Sequence, residues 1–357
     1  MTSKQVIQKQ IEELKENLKE VLYFSGESKN IDFYISSLTQ YNPFYSTEEI
    51  EEWITKLNSK DHFNVEQIPL DKLEKWNFNN ETGDLEHKSG GFFAIRGLKV
   101  KTNIGEYNGW SQPIIHQPEI GILGIVTKKI NGILYFLLQA KAEPGNIKTY
   151  ELSPTVQATR SNYMRLHGGK STPYLEYFLG EEKGEVLVDQ LQSEQGARFY
   201  RKRNRNIIVR VKENEEVELN SNYRWLTLGQ LQRLAQKNNI INMDTRSITS
   251  EINFAPEQVT SLDIVDLDKL KTKLEESEIT AKPIYDFGLK LIVSSHPNSK
   301  TLHTMEELIM KITQEKFKTI IESNLIPLKN VDKWKITRDR IFHESGKYFS
   351  VIGVRIK

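Results

Sequence analysis

Helical and strand-like periodicities in different parts of this chain predict an α+β protein. Three observations carry that expectation: two amphipathic helical patterns before residue 60, a strand pattern from Phe92 onward, and a late passage that echoes an early one. Val6, Ile7, Ile11, Leu14, Leu18 and Val21 recur at helical spacing, so the chain opens with an amphipathic helix. Ile50, Trp53, Ile54 and Leu57 line one face of a second helix over Glu48 to Leu57. Phe93, Ile95 and Leu98 begin the strands. Ile120 to Val126 and Ile133 to Leu138 continue them, joined by Asn131-Gly132, whose residues suit a tight hairpin turn. A helix is expected over Val186 to Gln195, with Gly196 as its stop, then a strand over Ile207 to Val211 and a short helix over Leu226 to Gln236.

Two passages match in register. Ile68-Pro69-Leu70, Lys75-Trp76 and the run Glu86-His87-Lys88-Ser89-Gly90-Gly91-Phe92-Phe93 return as Ile326-Pro327-Leu328, Lys333-Trp334 and Phe342-His343-Glu344-Ser345-Gly346-Lys347-Tyr348-Phe349. Self-similarity at this distance points to a duplicated unit. A helical pattern over Met305 to Ile321 precedes the second copy. Between the copies, Val259 to Ala281 is polar and charged, with leucines at 262, 267, 270 and 274, and reads as a connector. The expected division is a helical segment over residues 1–60, a first repeat over 61–255, a connector over 256–300 and the start of a second repeat over 301–357.

Composition narrows the function. A net charge of +1 gives no general electrostatic drive toward nucleic acid or an anionic membrane, so any anion must be held by a local cluster. The absence of cysteine excludes disulfides, thiolate nucleophiles and cysteine metal sites, and fits a cytoplasmic protein. The N-terminal segment lacks the apolar core of a signal peptide, and no apolar run is long enough to span a bilayer. Gly121-Ile122-Leu123-Gly124 lacks the remaining glycine and the acidic residue of a dinucleotide fingerprint.

Two stretches, Phe136 to Gly169 and Asp189 to Arg210, set carboxylates, amides, arginines, tyrosines, a lysine and a histidine between short apolar runs. Core strands do not need such polarity, whereas a site that grips a polar ligand does. Lys141 and Glu143 lie two apart at a strand end and so share a face, and Pro144-Gly145 then turns the chain at the rim. Tyr163 stands four residues before His167, whose imidazole titrates near neutrality. Arg201, Arg203 and Arg205 alternate with Lys202, Asn204 and Asn206; in an extended strand the arginines form one face suited to bidentate bonds with a diphosphate. Arg160 and Arg165 are further candidates for that role. Ser153, Pro154, Thr155, Val156 and Gln157 offer hydroxyls and an amide, either in an extended stretch or in a helix capped by Ser153. Trp110 and Tyr163 are candidates to stack on a base or sugar face, although a tryptophan is more commonly buried. The plainer alternatives are a surface Lys–Glu pair, a loop histidine and a solvated strand edge.

The chain resembles the NDP-hexose 2,3-dehydratase family. The resemblance rests on Trp110-Ser111-Gln112-Pro113, Gln139-Ala140-Lys141-Ala142-Glu143-Pro144-Gly145-Asn146, the run from Ser153 to Tyr163, His167-Gly168-Gly169, Asp189 to Gly196, Lys202 to Asn206, Trp225 to Gln230 and Asn242-Met243-Asp244. It implies two Nudix-like repeats, each a mixed sheet with flanking helices, so this chain is expected to hold one complete repeat and the start of a second, shortened one. That shortened repeat is expected to be poorly ordered unless the first repeat or another chain covers it. It also implies loss of water across C2 and C3 of dTDP-4-dehydro-6-deoxy-D-glucose in deoxysugar biosynthesis, without cofactor or metal. The ketone at C4 acidifies the C3 proton, so a base, an acid for the 2-hydroxyl and a stabiliser of the enolate are needed. The candidates carried over for these tasks are His167, Tyr163, Lys141 and Glu143. Trp110, Gln112, Asn162, Gln192, Glu194, Lys202, Arg203 and Arg205 join the residues named above as substrate contacts. Read against a Nudix helix, Asp189 to Gly196 carries Gln190 and Ser193 in place of glutamates and keeps only Glu194, too few carboxylates for magnesium. A homodimer and a downstream ketoreductase are the partners implied. The alternatives are a non-catalytic nucleotide-sugar-binding or scaffolding protein and a Nudix-type hydrolase.

Overall fold

The computed structural model describes residue 9 and residues 11–17, 29–59, 63–103, 108–159, 161, 171–180, 184–254 and 321–356. Residues 11–17 are helical, as the opening periodicity predicts. The helices that follow are α1 (Lys29–Leu38), α2 (Thr47–Ser59), α3 (Leu228–Ala235) and α4 (Met243–Ser250). The strands of the first passage are β1 (Val65–Ile68), β2 (Trp76–Phe78), β3 (Leu85–His87) and β4 (Ala94–Thr102). After them come β5 (Gly109–His116), β6 (Gly121–Ile130), β7 (Ile133–Ala142), β8 (Tyr150–Ser153), β9 (Val156–Ala158), β10 (Gly184–Ser193), β11 (Arg203–Val211) and β12 (Tyr223–Thr227). The second passage gives β13 (Ile321–Ile326), β14 (Trp334–Ile336), β15 (Arg340–His343) and β16 (Ser350–Ile356). The protein is α+β. Among the described residues no helix is long and apolar enough to cross a membrane.

The largest sheet runs β10-β11-β6-β7-β12, with β8 on β7 and β9 on β6. Its pairs are antiparallel except β11 with β6. Alternation along each strand divides the core into two layers. Ile122, Val126, Tyr135, Leu137, Ile207 and Val209 pack beneath α1 and the opening helical residues Ile11 and Leu14. Leu123, Ile125, Leu134, Phe136, Leu138 and Ile208 pack beneath Ile50 and Ile54 of α2, Leu228, Leu231 and Leu234 of α3, and Ile248 of α4. The β6–β7 hairpin closes at Ile130–Ile133, with Asn131 at φ 51° and Gly132 at φ 81°, the paired left-handed turn its sequence predicts.

The two matching passages fold alike. Trp76 meets His87 edge-to-face at 5.3 Å, and Trp334 meets His343 at 5.4 Å. His87 Nδ1 and Ser89 Oγ lie 2.7 Å apart, as do their counterparts on His343 and Ser345. Gly90 and Gly346 both take φ 69°. The passages also exchange strands. β1 leaves its own copy to pair with β16, and β13 pairs with β4. The sheets are therefore β1-β16-β15-β14 and β13-β4-β3-β2, with β5 added on β4. Ile68 faces Gly353 in one pairing, and Ile326 faces Gly97 in the other. Leu70, Leu85 and Ile95 share one core with Leu328, Val331 and Ile341. Strand β1 thus takes on β16 the place that β13 takes on β4.

Several elements differ from expectation. The helix expected over Val186 to Gln195 is strand β10, so this stretch is not a Nudix helix. Leu187 and Leu191 suit helical spacing, but only Leu187 is buried. The polar residues instead pair across to β11: Arg205 holds Asp189 through two bonds of 2.8 and 2.7 Å, and Asn206 donates to Gln192 at 2.6 Å. Cross-strand partners outweigh the local helical pattern. Leu226 and Thr227 belong to β12, and the helix begins at Leu228. Thr227 caps it, accepting from the Gln230 amide while the Gln230 side chain accepts from the Thr227 amide. Ser153 ends a strand and caps no helix. Arg201 takes φ 51° in the turn before β11, so the three arginines do not share one strand face. The connector over Val259 to Ala281 and the helical pattern over Met305 to Ile321 lie outside the described residues, except that Ile321 begins β13.

Candidate active site

The site begins where the large sheet forks. β6 and β7 pair from Ile130–Ile133 as far as Val126–Leu137. Beyond that point β6 turns to β9 and β7 turns to β8. Thr155 sits in the fork, accepting from the Val126 amide at 2.9 Å and donating to the Leu137 carbonyl.

Polar side chains gather at this forked end. Lys141 Nζ lies 3.0 Å from Glu143 Oε1, both side chains half-buried, and Gln157 Nε2 donates to the same oxygen at 3.0 Å. Helix α4 is fastened beside them. Its cap Asn242 accepts from the Thr245 amide at 2.8 Å, donates through Nδ2 to Ser153 Oγ at 3.0 Å, and donates its own amide to the Leu152 carbonyl at 3.0 Å. That anchoring sets Asp244, in the first turn, near Lys141, Glu143 and Glu194. Burial pushes the Asp244 carboxyl up to about 6; the charges of Glu194 and Glu143 add to the rise, and Lys141 opposes it.

The turn after β10 completes the group. Asn204 Nδ2 donates to Glu194 Oε2 at 2.8 Å, and Gln195 Nε2 reaches Met243 Sδ at 3.2 Å, tying the turn to the start of α4. A Cβ on Gly121 would fall 2.8 Å from Asn204 Oδ1, so glycine makes room for that amide. Lys202 is buried, its ammonium donating to the Glu119 carbonyl. Burial lowers its pKa, and the charges of Glu119 and Glu194 oppose the fall. Ser161 donates its amide and hydroxyl to Glu119 Oε2, each at 3.0 Å.

Next to Lys202 a cleft of about 410 Å3 opens, lined by Trp110, Gln112, Glu194, Phe199, Tyr200 and Lys202 among others, with Ser323 from β13 also on its wall. Trp110 is 51% exposed, which sets it apart from a core tryptophan. Its Nε1 donates to Gln112 Oε1 at 3.0 Å, and Gln112 donates to the Ala197 carbonyl at 3.0 Å. Glu194 lines the cleft, and its charge is one of those that raise the Asp244 carboxyl.

The structure thus brings together Trp110, Gln112, Glu194 and Lys202 in the cleft, and Lys141, Glu143 and Gln157 in a separate group at the same end of the large sheet. It turns others inward. Ser153, Thr155 and Val156 are buried, with both hydroxyls bonded inside the protein, and the Pro154 carbonyl accepts from Gln139 at 2.9 Å. Gln192 accepts from Asn206, and Arg205 is held by Asp189, while Arg203 is exposed. Arg160, Asn162, Tyr163, Arg165 and His167 lie outside the described residues. Among the described residues no three of histidine, aspartate and glutamate converge as metal ligands would. Asp244 is the residue that sequence reasoning missed. Its string Asn242-Met243-Asp244 carries a helix-cap signal, but the charged groups that perturb it come from the distant ends of β7 and β10.

A cleft lined by aromatic residues, Glu194 and Lys202, with the Lys141–Glu143 pair at the same end of the large sheet, has the make-up of a protein that binds a polar ligand beside groups able to move protons. The chain belongs to the NDP-hexose 2,3-dehydratase family, whose model matches residues 47–252 and 305–357. It is 41% identical over 331 residues to dTDP-4-dehydro-6-deoxy-alpha-D-glucopyranose 2,3-dehydratase of Saccharopolyspora spinosa, covering 93% of this chain and 64% of that protein. The protein of the same name from Amycolatopsis orientalis is 38% identical, covering 87% of this chain and 58% of its own length. That of Streptomyces violaceoruber is 34% identical, covering 85% and 62%. The chain therefore spans about three-fifths of the length of these curated relatives.

Proposed function

We propose that this protein is a dTDP-4-dehydro-6-deoxy-D-glucose 2,3-dehydratase, a hydro-lyase of deoxysugar biosynthesis. The observation that carries this reading is that the family match over residues 47–252 contains both polar stretches and every residue of the described cleft except Ser323. The ligand enters beside Trp110, which stacks on base or sugar, with Gln112 and Lys202 supplying polar contacts and Arg203, Arg160 and Arg165 available to the diphosphate. A base removes the C3 proton, the negative charge passes to the C4 ketone oxygen, and the 2-hydroxyl leaves as water. The enol then tautomerises to a 3,4-diketo-2,6-dideoxy sugar. Lys141, Glu143, Tyr163 and His167 are the candidate groups for these steps. In the same reading residues 61–255 form the unit that bears the site, and residues 301–357 begin a second one. The protein works in the cytoplasm as a homodimer, and a ketoreductase consumes its reactive product.

Proton NMR and mass spectrometry of dTDP-4-dehydro-6-deoxy-D-glucose incubated with the protein test the reading, with EDTA present and a ketoreductase and NADPH as trap. A trapped 2,6-dideoxy sugar nucleotide is the expected result. Saturable binding of the dTDP-sugar without product would replace the lyase with a binding protein.

A further inference from the structure

A second cavity, of about 280 Å3, opens on the sheet face that carries the cleft. Arg96 on β4 and His116 on β5 line it, and Leu98, Gln112 and Ile114, which line the cleft, continue the same faces of those two strands. The two spaces adjoin at two contacts. Glu119 lines the cavity, and its carbonyl accepts from the ammonium of Lys202, which lines the cleft. The rings of His116 and Tyr200, one from each lining, lie 6.2 Å apart. We infer, resting on the reading of the cleft as the nucleotide site, that this cavity binds a hexose through its hydroxyls, with Arg96, Glu86 and His116 as the contacts.

The second copy of the passage serves as an internal control. His87, Gly90, Phe92 and Phe93 of the cavity wall have His343, Gly346, Tyr348 and Phe349 in the same places. The charged residues do not recur. The strand registers put Phe342 where the first copy has Glu86, and Ile352 where it has Arg96. Ile352 is 42% exposed, so the repeat folds with an apolar side chain open to solvent there and has no need of a cation. Phe92 also takes φ 65°, a left-handed angle rare for a residue with a side chain, which Tyr348 does not. The polar wall therefore belongs to this cavity and not to the repeat.

The groups on that wall select the ligand. Arg96 Nε lies 3.6 Å from Asp84 Oδ2, and Nη2 lies 3.6 Å from Glu86 Oε1, close enough to fix the guanidinium but too long for hydrogen bonds. Three carboxylates, Asp84, Glu86 and Glu119, stand around one guanidinium, which disfavours a phosphate, and the guanidinium disfavours a metal ion. A neutral ligand that both donates and accepts fits. Burial and the charge of Arg96 hold His116 below its ordinary value, with Asp84 opposing, so at pH 7 its ring offers one donor and one acceptor. Hydroxyls on neighbouring carbons donate to a carboxylate or imidazole and accept from a guanidinium, while the Phe92 ring offers an apolar wall to the sugar's C–H face. The volume, just under the roughly 300–1,000 Å3 usual for ligand sites, suits one sugar ring and not a nucleotide.

The hexose is either that of a sugar nucleotide seated in the cleft or a separate sugar, and one experiment separates them. Calorimetry measures dTDP, dTDP-glucose and glucose on the unaltered protein, Arg96→Gln and His116→Phe, with thermal unfolding to show that each variant is folded; if one is not, the other decides. If one ligand spans both spaces, dTDP-glucose is expected to bind at least about tenfold tighter than dTDP. Each variant should then shrink that gap to within about threefold while dTDP affinity itself holds within about threefold. If the sugar is separate, dTDP and dTDP-glucose bind alike, and glucose binds saturably and loses about tenfold or more in the variants. An unchanged gap in every folded variant, or equal binding of dTDP and dTDP-glucose with no saturable glucose binding, would overturn the hexose site and leave the cleft reading intact. A protein that binds neither dTDP nor dTDP-glucose, yet takes glucose and loses it in the variants, would overturn the cleft reading and keep the cavity.

Discussion

Burial and the charges of Glu194 and Glu143 raise the Asp244 carboxyl from an ordinary 3.8 to about 6. The native state therefore holds a proton that the unfolded chain releases between those two values. This group's contribution to stability is fully present below about pH 4 and is lost as pH rises through 6. The loss is on the order of 3 kcal/mol by pH 8. Asp244→Asn is accordingly expected to raise the melting temperature at pH 7–8 and to lose that advantage below pH 4, which thermal unfolding across a pH series would show. Lys141→Ala and His167→Ala should lower kcat more than they weaken substrate binding, a split that steady-state kinetics with a separate binding measurement resolves. The Lys141–Glu143 pair was legible because two residues of alternation and a Pro-Gly turn are local facts. The spent hydroxyl of Thr155 was not, because its partners are set by where β6 and β7 part company.

At the scale of elements, the hairpin at Asn131-Gly132 and helix α2 follow from nearest-neighbour chemistry and were read correctly. Strand β10 was misread because a short polar run with Leu187 and Leu191 four apart fits a helix equally well, and only Asp189 on Arg205 and Gln192 on Asn206 decide the matter. The late start of α3 was written in Thr227-Leu228-Gly229-Gln230, a capping-box spacing. Glycines at the exchanged strands carry a sharper constraint. A Cβ on Gly97 would fall 2.6 Å from Val331 Cγ2 and 2.8 Å from Ile326 Cγ1, and one on Gly353 would fall 2.7 Å from the Ile68 carbonyl oxygen. Gly97→Ala is expected to destabilise the protein by about 1–3 kcal/mol, measurable by urea unfolding. An unchanged midpoint would mean that β13 yields without cost.

Across the whole molecule, the repeated passages were visible as matching Trp and His positions, but their exchange of first strands was not, because the two copies carry the same pattern and either partner satisfies it. The exchange makes one core of two sequences. Ile341, fully buried, packs in the same cluster as Leu85. Ile341→Ala and Leu85→Ala should each cost about 2–5 kcal/mol and lower one shared transition. Two transitions, each sensitive to one substitution, would show that the copies unfold separately. The exchange also sets an order of events. Val65 finds its partner in Ile356, far along the chain, and β4 must wait for Ile321–Ile326. On a ribosome the early strands emerge long before either partner exists, so neither small sheet can close until residues 321–356 have been made. Until then β1 presents an unpaired edge, and a neighbouring nascent chain offers the same complementary strand, which makes crowding during translation the period in which this fold is most open to pairing with the wrong copy of itself.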